Sequence, residues 1–255
     1  RGRVMGNLGT PCWYELTTTN LGGAQDFYAR LLGWNFASAG MADFDYRLAS
    51  IGGDMVAGAM LPMAPGIPNF WMVYLAVDDG EATVAAIRAA GGRIHKDLAE
   101  IPGTGRFAVA ADPQGAVFGI LEPLPGGSGG AFDQKKSGHG NWHELMSSDP
   151  KAAMEFYGRV FGWTASRSMD MGEMGSYDIF AHQGADIGGM MRLMPGMSQP
   201  FWLPYFGAEG IDRVAAEVPA AGGRVLNGPM EVRGGAWIIQ VLDPQGAMVA
   251  FVGPK

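Results

Sequence analysis

The stretch Trp13-Tyr14-Glu15-Leu16 returns later in the chain as Trp142-His143-Glu144-Leu145. Both stretches are rich in the aromatic and apolar residues that favour β-strands. Each opens a segment that is built in the same way, so the two stretches mark the beginnings of two similar halves. We expect these two strands to help line the place where the protein binds its ligand.

Further matches between the halves follow at a nearly constant distance. Phe27-Tyr28-Ala29-Arg30 matches Phe156-Tyr157-Gly158-Arg159, which begins 129 positions later. Asp112-Pro113-Gln114-Gly115-Ala116 matches Asp243-Pro244-Gln245-Gly246-Ala247, which begins 131 positions later. Loops can absorb a drift of two residues, so the chain contains a duplicated unit.

A Gly-rich segment joins the halves. It includes Pro125-Gly126-Gly127-Ser128-Gly129-Gly130 and Lys135-Lys136-Ser137-Gly138, which have the composition of a flexible linker. We therefore predict an N-terminal domain at residues 1–123, a linker at 124–140 and a C-terminal domain at 141–255.

Each half divides again into two modules with the order strand-helix-strand-strand-strand. In the first module, Asn20 suits the N-cap of an amphipathic helix that Gly33 ends. Its counterpart begins at Asp149 and Pro150, where a first-turn proline is welcome. In the last helix, Pro219 predicts an early end or a bend. The predicted fold class is α+β.

Composition excludes several classes of protein. The chain has 255 residues, 47% apolar and 17% charged, and a net charge of −7, which argues against a nucleic-acid surface. No apolar run reaches the roughly 18 to 20 residues of a membrane span, and the Arg1-Gly2-Arg3 start lacks an apolar signal core. The single cysteine, Cys12, allows no internal disulfide. We expect a cytoplasmic monomer or homodimer without a nucleic-acid or membrane partner.

Taken together, the motifs resemble the vicinal oxygen chelate (VOC) superfamily, which includes glyoxalase I, bleomycin resistance proteins and extradiol dioxygenases. The resemblance rests on the helix motif Phe27, Tyr28, Gly33 and Trp34, a Gly-Gly-Arg helix stop and the Asp-Pro-Gln-Gly hairpin, each present twice. The tandem form is similar to bacterial proteins labelled hydroxylases or glyoxalase-like antigens. It implies tandem glyoxalase-like domains, in each of which two βαβββ modules form a curved mixed sheet around a cleft.

The resemblance also implies where a metal would bind, because metal-using members carry His, Gln or Glu on the first and last strands of each module. Here those positions fall on residues that are poor ligands for a divalent metal. They are Trp13, Met72, Trp142, Leu203, Gly119, Ala250 and the stretches 58–60 and 189–191. A shift of one residue would replace Trp142 by His143, but it supplies no full ligand set. We therefore expect no metal and no other cofactor.

The side chains that share the cleft face follow from the alternation of a β-strand. Most are aromatic or Met, which offer flat or adaptable apolar surface, and the chain is rich in both, with 17 Met and 7 Trp. The predicted ligand-binding residues are Trp13, Glu15, Met60, Phe70, Met72, Tyr74, Trp142, Glu144, Met191, Phe201 and Tyr205.

Glu15 and Glu144 are the carboxylates of this face and the candidate catalytic residues. A carboxylate among aromatic side chains needs a partner or a purpose. Each could hold a ligand amine or hydroxyl, or act as a general base. The structural alternative is an ion pair across the sheet, for which Arg47 and Arg106 are the candidates.

The sequence thus predicts a glyoxalase-like or bleomycin-resistance-like protein without the usual metal site. Its partner would be a hydrophobic or aromatic small molecule such as an antibiotic or a natural-product intermediate, and an acidic chain accommodates a cation more easily than an anion. The alternative is an enzyme of the same superfamily, a hydroxylase or oxygenase, lyase or isomerase. It would act on an aromatic metabolite with Glu15 or Glu144 as the base, or with a metal.

Overall fold

The computed structural model of the chain describes residues 7–125 and 129–255. The Arg1-Gly2-Arg3 start and Gly126, Gly127 and Ser128 of the predicted linker lie outside these described residues. Among the described residues, no helix is long and apolar enough to cross a membrane.

Each half contains two strand-helix-strand-strand-strand modules, as the sequence predicts. The first half consists of β1 (Pro11–Thr17), α1 (Leu21–Leu32), β2 (Asn35–Ser38), β3 (Tyr46–Ile51), β4 (Asp54–Met60), β5 (Phe70–Ala76), α2 (Gly80–Ala89), β6 (Arg93–Ile101), β7 (Gly105–Ala111) and β8 (Val117–Pro123). The second half consists of β9 (Gly140–Ser147), α3 (Pro150–Phe161), β10 (Thr164–Asp170), β11 (Ser176–His182), β12 (Ala185–Arg192), β13 (Phe201–Gly207), α4 (Ile211–Ala220), β14 (Arg224–Glu231), β15 (Trp237–Leu242) and β16 (Met248–Gly253).

The strands form two eight-stranded mixed sheets, one for each half. Their orders are β2-β3-β4-β1-β5-β8-β7-β6 and β10-β11-β12-β9-β13-β16-β15-β14. In each module the first strand lies parallel to the last, as in the pairs β1–β4 and β5–β8, and the other pairs within a module are antiparallel. The order is the same in both halves, which confirms the predicted α+β class and the duplication.

Helices α1 and α3 begin and end at the residues that the sequence indicates. The side chains of Asn20 and Asp149 accept hydrogen bonds from the first turn of their helices, and Gly33 and Gly162 end them in the left-handed conformation. The expected early end of the last helix is wrong, because α4 continues through Pro219 and is ten residues long, as α2 is. A proline in the last turn removes only one intrahelical hydrogen bond.

The chain packs as two compact units that each combine modules from both halves. Unit 1 contains the second module of the first half and the first module of the second half, and its described residues are 7–12, 73–125 and 143–202. Unit 2 contains the two remaining modules, and its described residues are 13–72, 129–142 and 203–255. Helix α1 therefore packs in the same unit as the last hairpin of the chain.

The aspartates of the repeated hairpins connect the modules within each unit. In unit 2, the Tyr28 hydroxyl donates to Asp243 at 2.8 Å and accepts from Trp71 Nε1 at 2.9 Å. In unit 1, the Tyr157 hydroxyl donates to Asp112 at 2.9 Å and accepts from Trp202 Nε1 at 3.0 Å. The Asp-Pro-Gln-Gly motif thus does more than form a turn.

Residues 131–140, which their composition predicts to be flexible, pack into unit 2. Ala131 is fully buried, and the Gly138 carbonyl accepts from Trp34 Nε1 at 2.7 Å. Gly138 and Gly207 form a backbone hydrogen bond of 2.6 Å. These contacts hold the segment that leads into β9 against its unit.

Candidate functional site

The first strand presents two different faces, as its alternating pattern predicts. Tyr14 and Leu16 are almost completely buried on one face, whereas Trp13 and Glu15 are partly exposed on the other. Tyr14 packs edge-on against Phe206, with 5.2 Å between the ring centres. The partly exposed face is therefore the one on which Glu15 can meet a ligand.

Tyr46, which no sequence motif indicates, binds Glu15. The Tyr46 hydroxyl donates to Glu15 Oε2 at 2.7 Å and accepts a hydrogen bond from Trp13 Nε1 at 3.0 Å. Burial and the neighbouring Glu15 charge raise the pKa of Tyr46 well above its ordinary value, so its hydroxyl stays protonated. The Tyr46 hydroxyl thus links the Trp13 ring to the Glu15 carboxylate and helps to fix its position.

A glycine on the neighbouring strand makes room for this tyrosine. Gly58 of β4 is paired with Glu15 of β1, and a Cβ atom at Gly58 would overlap the Tyr46 hydroxyl and ring. Any larger residue at this position would push Tyr46 away. We call Trp13, Glu15, Tyr46 and Gly58 the first-half cluster.

The second half repeats the arrangement. The Tyr177 hydroxyl donates to Glu144 Oε2 at 2.9 Å, and Gly189 is paired with Glu144. A Cβ atom at Gly189 would overlap the Tyr177 ring. We call Glu144, Tyr177 and Gly189 the second-half cluster. Tyr46 and Tyr177 lie 131 positions apart, so the repeat was the signal that could have found both.

Tyrosines occupy the place of these glutamates in the other two modules. Tyr74 is paired with Gly119, where a Cβ atom would overlap the Tyr74 ring. Tyr205 is paired with Ala250, and its hydroxyl accepts from Gln240 Nε2 at 2.8 Å. The predicted residues Tyr74 and Tyr205 therefore hold equivalent places in their modules.

The other predicted binding residues lie on the strands expected of them. Met60 is paired with Tyr46 between β3 and β4 and is partly exposed. The partly exposed members of the remaining set are Phe70, Trp142 and Phe201, and the buried ones are Met72 and Met191. Among the predicted residues in the described part of the chain, Trp13 and Glu15 both form a hydrogen bond with the Tyr46 hydroxyl. Glu144 accepts a hydrogen bond from Tyr177.

The donor set of these strands does not match the metal site that the resemblance implies. The first-strand positions to which the resemblance assigns metal ligands carry two Trp, one Met and one Leu, which are Trp13, Trp142, Met72 and Leu203. Glu15 and Glu144 lie two residues further along their strands. Within residues 7–125 and 129–255, no group of three or more His, Cys, Asp or Glu side chains could hold a metal ion. A divalent metal needs several N, O or S ligands that converge on one point.

The two arginines proposed as partners of Glu15 bind other groups. Arg47 forms an ion pair with Asp45 at 3.2 Å and donates to Gln25 at 3.0 Å. Arg106 forms ion pairs with Glu122 and Glu81. Both arginines thus have carboxylate partners other than Glu15.

The pKa values of His143 and Cys12 keep both side chains uncharged near neutral pH. His143 lies on the opposite face of β9 from Glu144, where its Nδ1 is 2.8 Å from the Ile187 carbonyl oxygen. Burial lowers the pKa of His143 to about 4 and raises the pKa of the Cys12 thiol to about 12. The imidazole is thus neutral and the thiolate scarce near neutral pH.

The chain is similar to one known protein family and to several known proteins. The model of the Glyoxalase/Bleomycin resistance protein/Dioxygenase superfamily matches residues 12–120 and 140–251. The anthracycline biosynthesis protein DnrV of Streptomyces peucetius is 30% identical over 263 residues, which cover 96% of this chain and 93% of DnrV. CFP32 of Mycobacterium bovis, whose name presents it as a candidate glyoxylase, is 44% identical over 123 residues. That match covers 48% of this chain and 47% of CFP32, so the chain spans about half the length of that relative.

Two solved structures share the fold over almost the whole chain. The Mn(II)-bound glyoxalase from Novosphingobium aromaticivorans has a TM-score of 0.70 at 15% identity and covers 98% of this chain and 83% of its own. The 2,3-dioxygenase LapB from Pseudomonas sp. KL28 has a TM-score of 0.68 at 14% identity, with 97% and 93% covered. At such low identity the likeness shows the fold alone.

Proposed function

Because this chain belongs to the Glyoxalase/Bleomycin resistance protein/Dioxygenase superfamily, we propose that it binds a hydrophobic or aromatic small molecule without the superfamily's metal. The observation that carries the proposal is the first-half cluster, in which Tyr46 orients Glu15 beside Trp13. Flat rings offer stacking surface to an aromatic ligand, and a fixed carboxylate offers one polar anchor.

The anchor favours a ligand that carries an amine or a hydroxyl group. A carboxylate only accepts hydrogen bonds, so it selects donors and cations. The net charge of −7 acts in the same direction because it attracts cations over a longer range. The partner is therefore a small aromatic compound with a donor or cationic end, and neither a nucleic acid nor a membrane.

The relative DnrV supports a role in natural-product metabolism. Its printed name assigns it to anthracycline biosynthesis, and the two chains align over nearly their whole lengths. Trp13 and Tyr46 provide the kind of flat surface on which an aromatic ligand stacks. We extend this only to the class of ligand, an aromatic natural product or antibiotic.

A second candidate function is an enzyme of the same superfamily, an oxygenase, lyase or isomerase. The observation that favours it is the similarity to CFP32, whose name presents it as a candidate glyoxylase. In that case Glu15 or Glu144 would be the general base, since each already accepts a hydrogen bond from an oriented tyrosine. Metal-dependent turnover of a glyoxalase substrate by the purified protein would favour this candidate.

The test of the binding proposal uses proflavine, a flat three-ring cation, and the divalent ions Zn²⁺, Ni²⁺, Mn²⁺ and Fe²⁺. Proflavine should quench tryptophan fluorescence and raise the melting temperature, and a concentration of 100 times Kd adds about 2.7 kcal/mol of stability. Calorimetry should show no stoichiometric, high-affinity site for any of the four ions.

Tryptophan variants test which face binds. The double variant Trp13→Ala with Trp142→Ala should lose most of the proflavine binding. Trp237→Ala is the matched control, because that ring lies on β15 and contacts Lys255 instead. Binding that survives the double variant would show that the ligand uses another surface, and a tight metal site would contradict the metal-free proposal.

A further inference from the structure

Exposure differs between the two clusters although their hydrogen bonds match. Glu144 is 5% exposed and Met191 is 4% exposed, so both are buried. Glu15 and Met60, which hold the same places in the first half, are both partly exposed. A molecule from solution therefore reaches the first-half carboxylate more easily.

Large apolar side chains are exposed on two loops of the first half. One loop lies between β2 and β3, and the other follows β4. The exposed side chains, which we call the rim, are Met41 (38%), Phe44 (39%), Leu61 (48%), Met63 (69%) and Ile67 (36%). Apolar side chains grouped in this way mark surfaces that a ligand or partner covers.

Phe44 joins one loop of the rim to the first-half cluster, and the other loop begins directly after Met60. The Phe44 ring lies edge-on to Tyr46, with 6.1 Å between the ring centres and 86° between the planes. Leu61 directly follows Met60, and Met60 is paired with Tyr46 between β3 and β4. A ligand anchored on Glu15 can therefore continue past Tyr46 onto the rim.

The second half keeps its cluster but carries fewer exposed apolar side chains on the two equivalent loops. At the repeat distance of 131 positions, which also relates Tyr46 to Tyr177, the rim residues have mostly small or polar counterparts. These counterparts are Gly172, Gly175, Arg192, Met194 and Ser198. Met194 is only partly exposed, and the equivalent loop between β10 and β11 carries Met171, which is 38% exposed. Gly175 holds the place of Phe44, so the second half lacks the aromatic ring of the rim.

We infer that the first-half cluster with its rim is the ligand site of this chain, that it takes one fused-ring aromatic ligand with a cationic or hydroxyl end, and that Phe44 and Met63 determine specificity for ligand length. The inference rests on the proposed function and narrows it to one half and one size of ligand. Phe44 lies beyond Tyr46 from Glu15, so a ligand anchored on Glu15 must extend past Tyr46 to contact it.

The experiment compares proflavine with benzamidine, a cation that has one ring. Calorimetric titration of the whole chain should give one proflavine per chain. Phe44→Ala and Met63→Ala should each weaken proflavine binding about three- to tenfold and leave benzamidine binding unchanged. Glu15→Gln should weaken both probes. Met171→Ala is the matched control, because Met171 is an exposed methionine, 38% exposed, in the second half.

Three outcomes would overturn the inference. Two proflavine molecules per chain, or weakening by Met171→Ala and Glu144→Gln but not by Phe44→Ala, would contradict a single first-half site and leave the proposed function standing. The absence of saturable binding of either probe would contradict the inference and the proposed function together. Unchanged melting temperatures of the rim variants will show that they fold, since these side chains are exposed.

Discussion

The first-half and second-half clusters carry the same hydrogen bond, at 2.7 Å between Tyr46 and Glu15 and 2.9 Å between Tyr177 and Glu144. Each tyrosine lies over a glycine that leaves no room for a Cβ atom. The difference lies outside this shared arrangement, because Phe44 of the rim packs against Tyr46, whereas Gly175 holds the place of Phe44 in the second half. The duplicated halves have thus kept their packing and diverged where a ligand would make contact.

The buried networks show the same conservation of packing between the repeats. Asp243 accepts from Tyr28 at 2.8 Å, and Asp112 accepts from Tyr157 at 2.9 Å. Burial raises the pKa of both aspartates, which shows that the two environments are alike. The buried networks of the two units are thus nearly identical. The difference between the halves at the rim therefore indicates a function and not a general divergence of the second half.

The largest expected effect comes from filling the space beneath the two cluster tyrosines. Gly58→Ala and Gly189→Ala should each lower the free energy of unfolding by about 1–3 kcal/mol, because the new Cβ atom overlaps Tyr46 or Tyr177. Only Gly58→Ala should also abolish proflavine binding. Urea unfolding and fluorescence titration measure the two effects.

A double-mutant cycle checks the cause of this loss. In a Tyr46→Ala background the overlap is gone, so Gly58→Ala should cost much less stability than in the native chain. An equal cost in both backgrounds would show that the tyrosine is not what the new methyl group meets. Loss of proflavine binding in Gly189→Ala would break the proposed difference between the halves.

A smaller and symmetric effect is expected from the buried networks. Tyr28→Phe and Tyr157→Phe each remove a hydroxyl that donates to a buried aspartate and accepts from a tryptophan. Each variant should lose about 0.5–1.5 kcal/mol of stability at neutral pH. Urea unfolding should give the same loss for both, and clearly unequal losses would contradict the symmetry of the two units.

These losses should shrink in acid. Burial raises the folded pKa of Asp243 and Asp112 above the ordinary value of 3.8, while the tyrosine hydrogen bond opposes that rise. Between pH 3.8 and the raised folded pKa, the folded state thus binds more protons than the unfolded state. The free energy of unfolding therefore falls as the pH rises through this range. Removing the tyrosine hydroxyl raises the folded pKa further, so the penalty is largest at neutral pH. A penalty that is independent of pH would show that the aspartates do not cause it.

The repeat made most of the fold predictable. The constant offset located four modules, Asn20 and Gly33 located the ends of the first helix, and the match over 12–120 and 140–251 confirms the resemblance. Pro219 misled because a single proline in the last turn costs too little to end a helix. The contact of Tyr28 with Asp243 was out of reach, since it joins residues 215 positions apart and no local pattern encodes it.

The candidate site was predictable only in part. Alternation along β1 correctly assigned Trp13 and Glu15 to the open face. The partner of Glu15, Tyr46, was missed. The short apolar run around Tyr46 predicts a strand, but it does not show which side chain of that strand packs against Gly58 of β4. The exposed rim was also missed, since composition cannot show which apolar side chains of a loop remain in solvent.

The segments that lead into β9 and β1 provide the last test of the comparison. Both present a carbonyl to a helix-end tryptophan, Gly138 to Trp34 at 2.7 Å and Gly9 to Trp163 at 2.9 Å. The segment before β9 adds a charged contact, since the buried His139 ring lies 2.9 Å from Asp54.

Asp54→Asn should therefore destabilise the chain slightly, by less than Tyr28→Phe. The hydrogen bond from His139 and the charge of Lys136 hold the pKa of Asp54 below its ordinary value of 3.8. Its contribution is thus fully present above about pH 4 and disappears as pH falls through the lower folded pKa. Thermal unfolding should show a difference from the native chain at pH 7 that shrinks as the pH falls below 3.8, with Asp45→Asn as the exposed ion-pair control. A difference that persists in acid would show that Asp54 acts by packing, and the two segments would then differ only in shape.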